Sequence, residues 1–290
     1  DIVYLHRRNI GFDADDSSAC GRRDYYNFVD AYVSRVMVLA RLKRFDKANE
    51  LLDELPEVCD NEPSVLRTKG KIQMLQYAFD GSGNRCLAKE YYSRYITLFK
   101  QEYDKQLFTL SGSQREQYWL SLHDFLYDCY CLENYAPELL YDLALFSKGY
   151  ILECDSSGKI PNLTWKDIRG RLKPDECAIE FVQYKNHDEE RNLAALIIRS
   201  DCTRPCFVNI GSVDNIVSLP IKNGETLGTA ITNDVGRTKD ALYSDTAISN
   251  LIWNNEIMKE TKNCKNIYFV PDGFLHQLAI EYMFPDTAVN

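Results

Sequence analysis

The chain of 290 residues is about two domains long, and its 45% apolar and 27% charged side chains are the balance of an ordinary globular protein, which excludes disorder and collagen. Its 34 basic and 43 acidic side chains leave a net charge of −9 with the two signs interleaved, which argues against a direct nucleic-acid ligand. The longest uncharged apolar runs, residues 143–146 and 193–198, are core-sized and far short of the roughly 18 to 20 residues that cross a bilayer.

Residues 24–153 are predicted to be helical, because apolar residues recur at steps of three and four and Pro and Gly are sparse. Val36, Leu39, Ala40, Phe45, Ala48, Leu51, Leu52 and Leu55 lie on facing stripes of two helices broken near Arg44, and Pro56 ends the second. After Pro63 comes a second pair, with Leu66, Gly70, Met74 and Tyr77 on one helix and Leu87, Tyr91, Tyr95, Phe99 and Tyr103 on the next. The polar string Asp80-Gly81-Ser82-Gly83-Asn84 is the loop between them.

After Pro161 the period changes. Residues 176–184, 192–199, 206–210 and 266–270 are short β-branched and aromatic runs, and residues 245–260 have helical spacing. The first two runs flank an all-polar stretch, residues 185–191, and are expected to form an antiparallel hairpin. Residues 266–270, nearly all apolar, read as a central strand buried on both faces. The fold class is therefore α plus α/β.

Ten cysteines are scattered along a chain large enough to fold without staples, so they read as reduced thiols of a cytoplasmic protein. Cys129-x-Cys131 and Cys202-x3-Cys206 are not CxxC pairs and lack a matching second pair, so no metal ligand is assigned and no cofactor is expected.

Two helical pairs with a small residue at the crossing, Ala48 in one and Ala88 in the other, resemble degenerate tetratricopeptide repeats. By the same pattern residues 1–10 read as the tail helix of a preceding repeat. The second half carries a further resemblance. Its residues are Thr164-Trp165-Lys166-Asp167-Ile168, then Leu172-Lys173-Pro174-Asp175-Glu176-Cys177-Ala178-Ile179-Glu180-Phe181-Val182, then Leu251-Ile252-Trp253, then residues 266–281 with Pro271-Asp272-Gly273 at their centre. In this order, with Tyr141-Asp142-Leu143-Ala144-Leu145-Phe146-Ser147-Lys148-Gly149 in front, they resemble the opening half of the CHAT domain, a caspase-like cysteine peptidase domain that follows tetratricopeptide repeats. The resemblance implies a helical repeat region over residues 1–157 and the non-catalytic part of a CHAT domain over 158–290.

In that family a His and then a Cys follow the Pro-Asp-Gly motif, so that the imidazole can activate the thiol and backbone N–H groups can hold an oxyanion. Seventeen residues follow Gly273, and the resemblance therefore implies that the pair lies beyond residue 290. No catalytic, cofactor-binding or metal residue is assigned within the chain. Cys20 follows the acidic stretch Asp13-Ala14-Asp15-Asp16, which opposes a reactive thiolate. His276 has no Cys after it, His187 and His6 read as solvated, and His123 with Cys129 and Cys131 reads as a helix with core thiols. Residues 111–116 read as a capped helix start and not a phosphate loop.

The reading is a fragment of a bacterial-type cysteine endopeptidase whose repeats bind a protein trigger or partner. The rival is a helical scaffold with a pseudo-peptidase domain. The first half, rich in Tyr25, Tyr26, Tyr91, Tyr92, Tyr95, Tyr103, Tyr118 and Trp119, is expected to carry the partner surface. Too few elements cover the sheet of the second half, so a downstream segment is expected to complete it.

Overall fold

The computed structural model describes residues 19–107, 114, 123–153, 163–221, 224–232 and 246–284. The expected tail helix at 1–10, with His6, and the aromatic pair Tyr118 and Trp119 lie outside the described residues; so, apart from Gln114, does the helix start expected at 111–116. No described helix is long and apolar enough to cross a membrane. The chain divides into two compact units, Asp1–Leu110 and Ser111–Asn290. The helices expected before residue 153 are thus shared between the units, earlier than the division expected after residue 157.

In the first unit α1 (Ala19–Arg41) packs against α2 (Phe45–Asp53) and α3 (Pro63–Asp80), and α3 packs against α4 (Arg85–Leu107). Pro63 occupies the first turn of α3, where its missing N–H costs nothing. Gly81 ends that helix in the left-handed conformation at φ 79°, returning its N–H to the Tyr77 carbonyl. Asn84 Oδ1 then accepts from Leu87 N at 3.1 Å and opens α4. Phe28, Val29, Tyr32, Val36, Ala48 and Leu52 are among the residues that bury the common core.

The second pair differs from expectation by a rotation. The buried stripe of α4 is Ala88, Tyr92, Tyr95, Ile96 and Phe99, while Tyr91 is half-buried. A four-residue step drifts off one face of a 3.6-residue helix, and Tyr92 wins the inward position because its ring lies over Gly70. A Cβ built on Gly70 would come within 2.8 Å of that ring.

The second unit holds α5 (Pro137–Glu153), α6 (Trp165–Arg171) and a four-stranded sheet in the order β3-β2-β1-β4. The strands are β1 (Glu176–Lys185), β2 (Arg191–Arg199), β3 (Cys206–Ser212) and β4 (Asn266–Val270), each where the sequence reading put one. β1 and β2 form the expected antiparallel hairpin, turned by Asn186, whose Oδ1 accepts from the backbone N of Asp188 and Glu190. β3 adds antiparallel to β2, and β4 adds parallel to β1, which makes the sheet mixed.

Both faces of the central strands are covered, so residues 192–198 of β2 are buried without alternation. One face carries Ile179, Phe181, Leu193, Ala195, Ile197 and Val208 under α7 (Val213–Val217), α8 (Leu227–Thr232), α9 (Thr246–Ile252) and α10 (Asn255–Glu260). The single helix expected over 245–260 is two, because Asn254 turns out of helical geometry and its side chain accepts from the N–H groups of Glu256 and Ile257. The other face is covered by α5 and the irregular 3₁₀ segment His123–Tyr135, whose contacts lie over β1, β2 and β3.

Among the described residues β4 is paired on one side only. It forms one edge of the described sheet: Ile267 and Phe269 pack into the core, but Tyr268 is 54% exposed and Val270 39%. The second layer leaves these two side chains open.

Replacing Gly70 with Val drives a branched side chain into the buried Tyr92 ring. We expect the first unit to lose about 2 kcal/mol despite the gain in helix propensity. A lowered urea midpoint followed by tyrosine fluorescence checks this, and an unchanged midpoint contradicts the close crossing.

Candidate functional site

A buried polar cluster of the second unit lies where β4 ends at Val270 beside Glu180 of β1, near the carboxyl end of a parallel strand, where open α/β sheets commonly place their sites. α5 is apolar on nearly every side, yet it carries Lys148 toward this point. The Lys148 ammonium donates to Glu180 Oε2 at 2.9 Å, to the Phe181 carbonyl, and to the Val270 carbonyl at 3.2 Å. All three of its N–H bonds are thereby used.

Glu180 is itself buried, and its carboxyl is held above the ordinary range. Burial is the largest cause, Lys148 pulls the other way, and Asp272 adds a smaller upward push. Asp272 sits in the turn after β4. Its Oδ2 accepts from Gln183 N at 2.7 Å and its Oδ1 from Gly273 N at 2.9 Å, so the turn is tied back to β1. Gly273 has φ 53°, and any Cβ there would fall inside the Gln183 amide; the position admits only glycine on both counts. Tyr184 on β1 donates to Glu133 Oε1 at 3.0 Å, and Glu133 holds a strained φ of 44°. Burial, then the Glu133 carboxylate, pushes the Tyr184 hydroxyl far above its usual range.

The aromatic and apolar residues of the motifs take scaffold positions. Trp253 is buried, donates Nε1–H to the Ile280 carbonyl at 3.0 Å and stacks edge-on against Phe181, Phe269 and Phe284. Trp165 is buried beneath the Arg169 guanidinium, and its backbone N–H bonds Asp142 of α5 at 2.6 Å. Leu275, Leu278 and Ile280 enter the core of the helical face.

The residues weighed in the sequence do not meet in a catalytic arrangement. His276 is exposed in the segment Gly273–Gln277, and His187 is exposed and faces Asp188 at 3.0 Å. Among the described residues neither is paired with a thiol. The backbone of Cys20 lies in the first turn of α1, and the side chains of Cys20 and His123 lie outside the described ones. Cys129 is buried, and Cys131 donates to the Lys185 carbonyl at 3.1 Å. No cluster of three or more potential metal ligands occurs among the described residues. None of the eight described cysteines is in a disulfide.

The sequence motifs contain Lys148 and Glu180 but assign neither a role. Their signal was a lone charge inside an apolar run, in Ala144-Leu145-Phe146-Ser147-Lys148 and in Ala178-Ile179-Glu180-Phe181-Val182. With every Lys148 donor engaged, the cluster ties α5 to β1 and β4. Comparison with models of protein families, with curated proteins and with solved structures finds no match for this chain.

A carboxyl whose folded pKa is raised contributes most to stability below its unfolded value, and that contribution is lost as pH climbs through the folded value. Lys148→Met removes the one group that lowers Glu180. We expect it to cost about 3 kcal/mol at pH 7, because Glu180 is then buried without its counter-charge. The deficit should shrink as pH falls toward the ordinary carboxylate value of 4.5, because a raised folded pKa favours the uncharged form of Glu180 as the medium becomes more acidic. Adding Glu180→Gln should recover part of the loss at pH 7. Urea unfolding between pH 4.5 and 7.5 measures both effects, and a deficit independent of pH contradicts the assignment.

Proposed function

We propose that this chain is a fragment of a protein resembling the TPR-CHAT family, holding helical repeats and the amino-terminal part of the CHAT domain. In this reading the helical unit binds a protein trigger, and the α/β unit is the scaffold half of a caspase-like cysteine endopeptidase. The observation that carries the proposal is the parallel β1–β4 pair, with Pro271-Asp272-Gly273 leaving its carboxyl end and β4 on an edge whose outer side chains are open. A strand added beside β4 would continue the sheet in the direction where the family's His and Cys strands belong. Exposed Tyr268, Val270 and Tyr282 are the apolar surface that such a strand and its covering helix would bury. The free cysteines are compatible with a reducing, cytoplasmic setting.

Within this reading the chain has no chemistry of its own. Residues 1–290 are expected to release no fluorophore from caspase-type peptides, with or without reductant; turnover that vanished on Cys20→Ala or Cys264→Ala contradicts this.

The proposal itself is tested by extending the polypeptide with the coding sequence downstream of residue 290. We expect the extension to slow amide hydrogen exchange in residues 266–270 at least tenfold and to introduce thiol-dependent cleavage of a protein substrate. Slowed exchange without cleavage favours the pseudo-peptidase scaffold. Unchanged exchange in β4 removes the structural basis of the reading altogether.

A further inference from the structure

In the helical unit the turn between α1 and α2, residues 42–44, meets the last turn of α3 through Phe79. The Phe79 ring lies 5.8 Å from that of Phe45, centroid to centroid, and the Lys43 ammonium stands over it at 4.3 Å. Val38 and Leu42 lie one helical turn apart where α1 ends, the Leu42 N–H bonding the Val38 carbonyl at 3.0 Å. Val38, Leu42 and Phe79 are each more than half exposed.

Around these apolar side chains the charge is inverted. The chain carries −9 overall, yet Arg41, Lys43, Arg44 and Lys47 stand against Asp46 alone between residues 41 and 47, and all five are exposed. Among the described residues Lys43, Arg44 and Lys47 form no ion pair.

Lys43 is also placed against its own backbone preference. It holds φ 60° in the position just past α1 where glycine is the usual occupant. Its N–H returns to the Ala40 carbonyl and that of Arg44 to the Leu39 carbonyl, both at 2.9 Å, which is the ordinary closure of a helix on such a residue. A lysine strains this position, and backbone strain concentrates where a side chain is put to use. Resting on a ring face steadies the ammonium while leaving its N–H bonds for an outside acceptor.

Resting on the reading of the helical unit as the partner-binding half, we propose that this turn is a docking site for an acidic peptide that carries an apolar side chain. The peptide's carboxylates pair with Lys43 and Arg44, and its apolar side chain covers Val38, Leu42 and Phe79. A peptide fits better than a membrane because Asp46 sits among the cations and Asp80 follows Phe79. A continuous anionic surface meets those acids too, whereas a peptide spaces its charges to avoid them.

The test titrates a fluorescein-labelled peptide, Glu-Asp-Leu-Phe-Asp-Glu, with residues 1–290, beside a control with lysine at each acidic position. We expect the acidic peptide to bind, more weakly as salt rises, and the control not to bind. Lys43→Gly removes the cation and suits the backbone. It should weaken binding about fivefold with no fall in the urea midpoint, an outcome that a purely structural lysine would not give. Val38→Ser, at an exposed position, should weaken binding as well. Equal affinity for the two peptides, or wild-type affinity in both variants, overturns the proposal. So does binding of phosphatidylserine vesicles in place of the peptide, or self-association in sedimentation that Val38→Ser abolishes. None of these outcomes bears on hydrogen exchange in β4, so this docking site and the family reading fail separately.

Discussion

A single half-buried ammonium fixes how the α/β unit is assembled. β1 and β4 run parallel, and parallel neighbours cannot be joined by a tight turn, so here the chain travels from residue 185 to residue 266 before the pair forms. Hairpin geometry sets the register of β1 against β2, but nothing comparable sets β4 against β1. Lys148 supplies that constraint by accepting no alternative: its three N–H groups span Glu180, the Phe181 carbonyl and the Val270 carbonyl. A slip of β4 by one residue would move the carbonyl away and leave a desolvated N–H without a partner. Asp272 adds a second tie, to Gln183 N, on the same end. Helix α5 therefore does two jobs. Asp142 near its start holds the first N–H of α6, and Lys148, six residues later, holds the strands.

The same arrangement explains why the edge remains open. Lys148 reaches Val270 only through its backbone, so α5 orders β4 without covering it. The strand is short, five residues, and its outer groups are partly managed by polar contacts: Tyr268 donates to Glu176 at 3.2 Å, and Lys265 pairs with Asp175 at 3.3 Å. Short length and flanking charge are how natural edges avoid unwanted pairing. An edge so ordered but uncovered is suited to receive a further strand, since its geometry is already fixed.

What could be read from sequence follows the range of the forces involved. All four strands were legible because β-branched runs are local, and the hairpin because its loop is uniformly polar. The break at Asn254 was not, since a mid-run Asn reads equally as a helix position until its side chain is seen to cap. The inward choice between Tyr91 and Tyr92 depended on Gly70, a residue on another helix. Asn266-Ile267-Tyr268-Phe269-Val270 looked doubly buried because composition reports hydrophobicity and not neighbours; edge or centre is decided by pairing across ninety residues. Lys148 and Glu180 were each visible as anomalies. Their partnership was not, because nothing local says which buried charge meets which.

The tyrosine-rich helical unit shows why aromatic content alone does not mark a binding face. Several of its rings are consumed by packing or by polar ties. Tyr92 fills the space over Gly70, and Tyr25 donates to Glu62 Oε1 at 2.9 Å beside the buried Cys59 thiol. Burial is the first cause that pushes the Tyr25 hydroxyl far up, followed by its bonds to Cys59 and Glu62. Its neighbour Tyr26 is exposed, as a 100° step along a helix requires when one of two adjacent rings is held inward. Elsewhere the exposed rings are lidded by cations, Lys43 over Phe79 at 4.3 Å and Arg85 over Tyr77 at 4.3 Å. A ring face already occupied by a cation resists water and non-specific apolar contact alike. Among the described residues of this unit, the exposed apolar side chains thus include the aliphatic Val38 and Leu42 as well as rings.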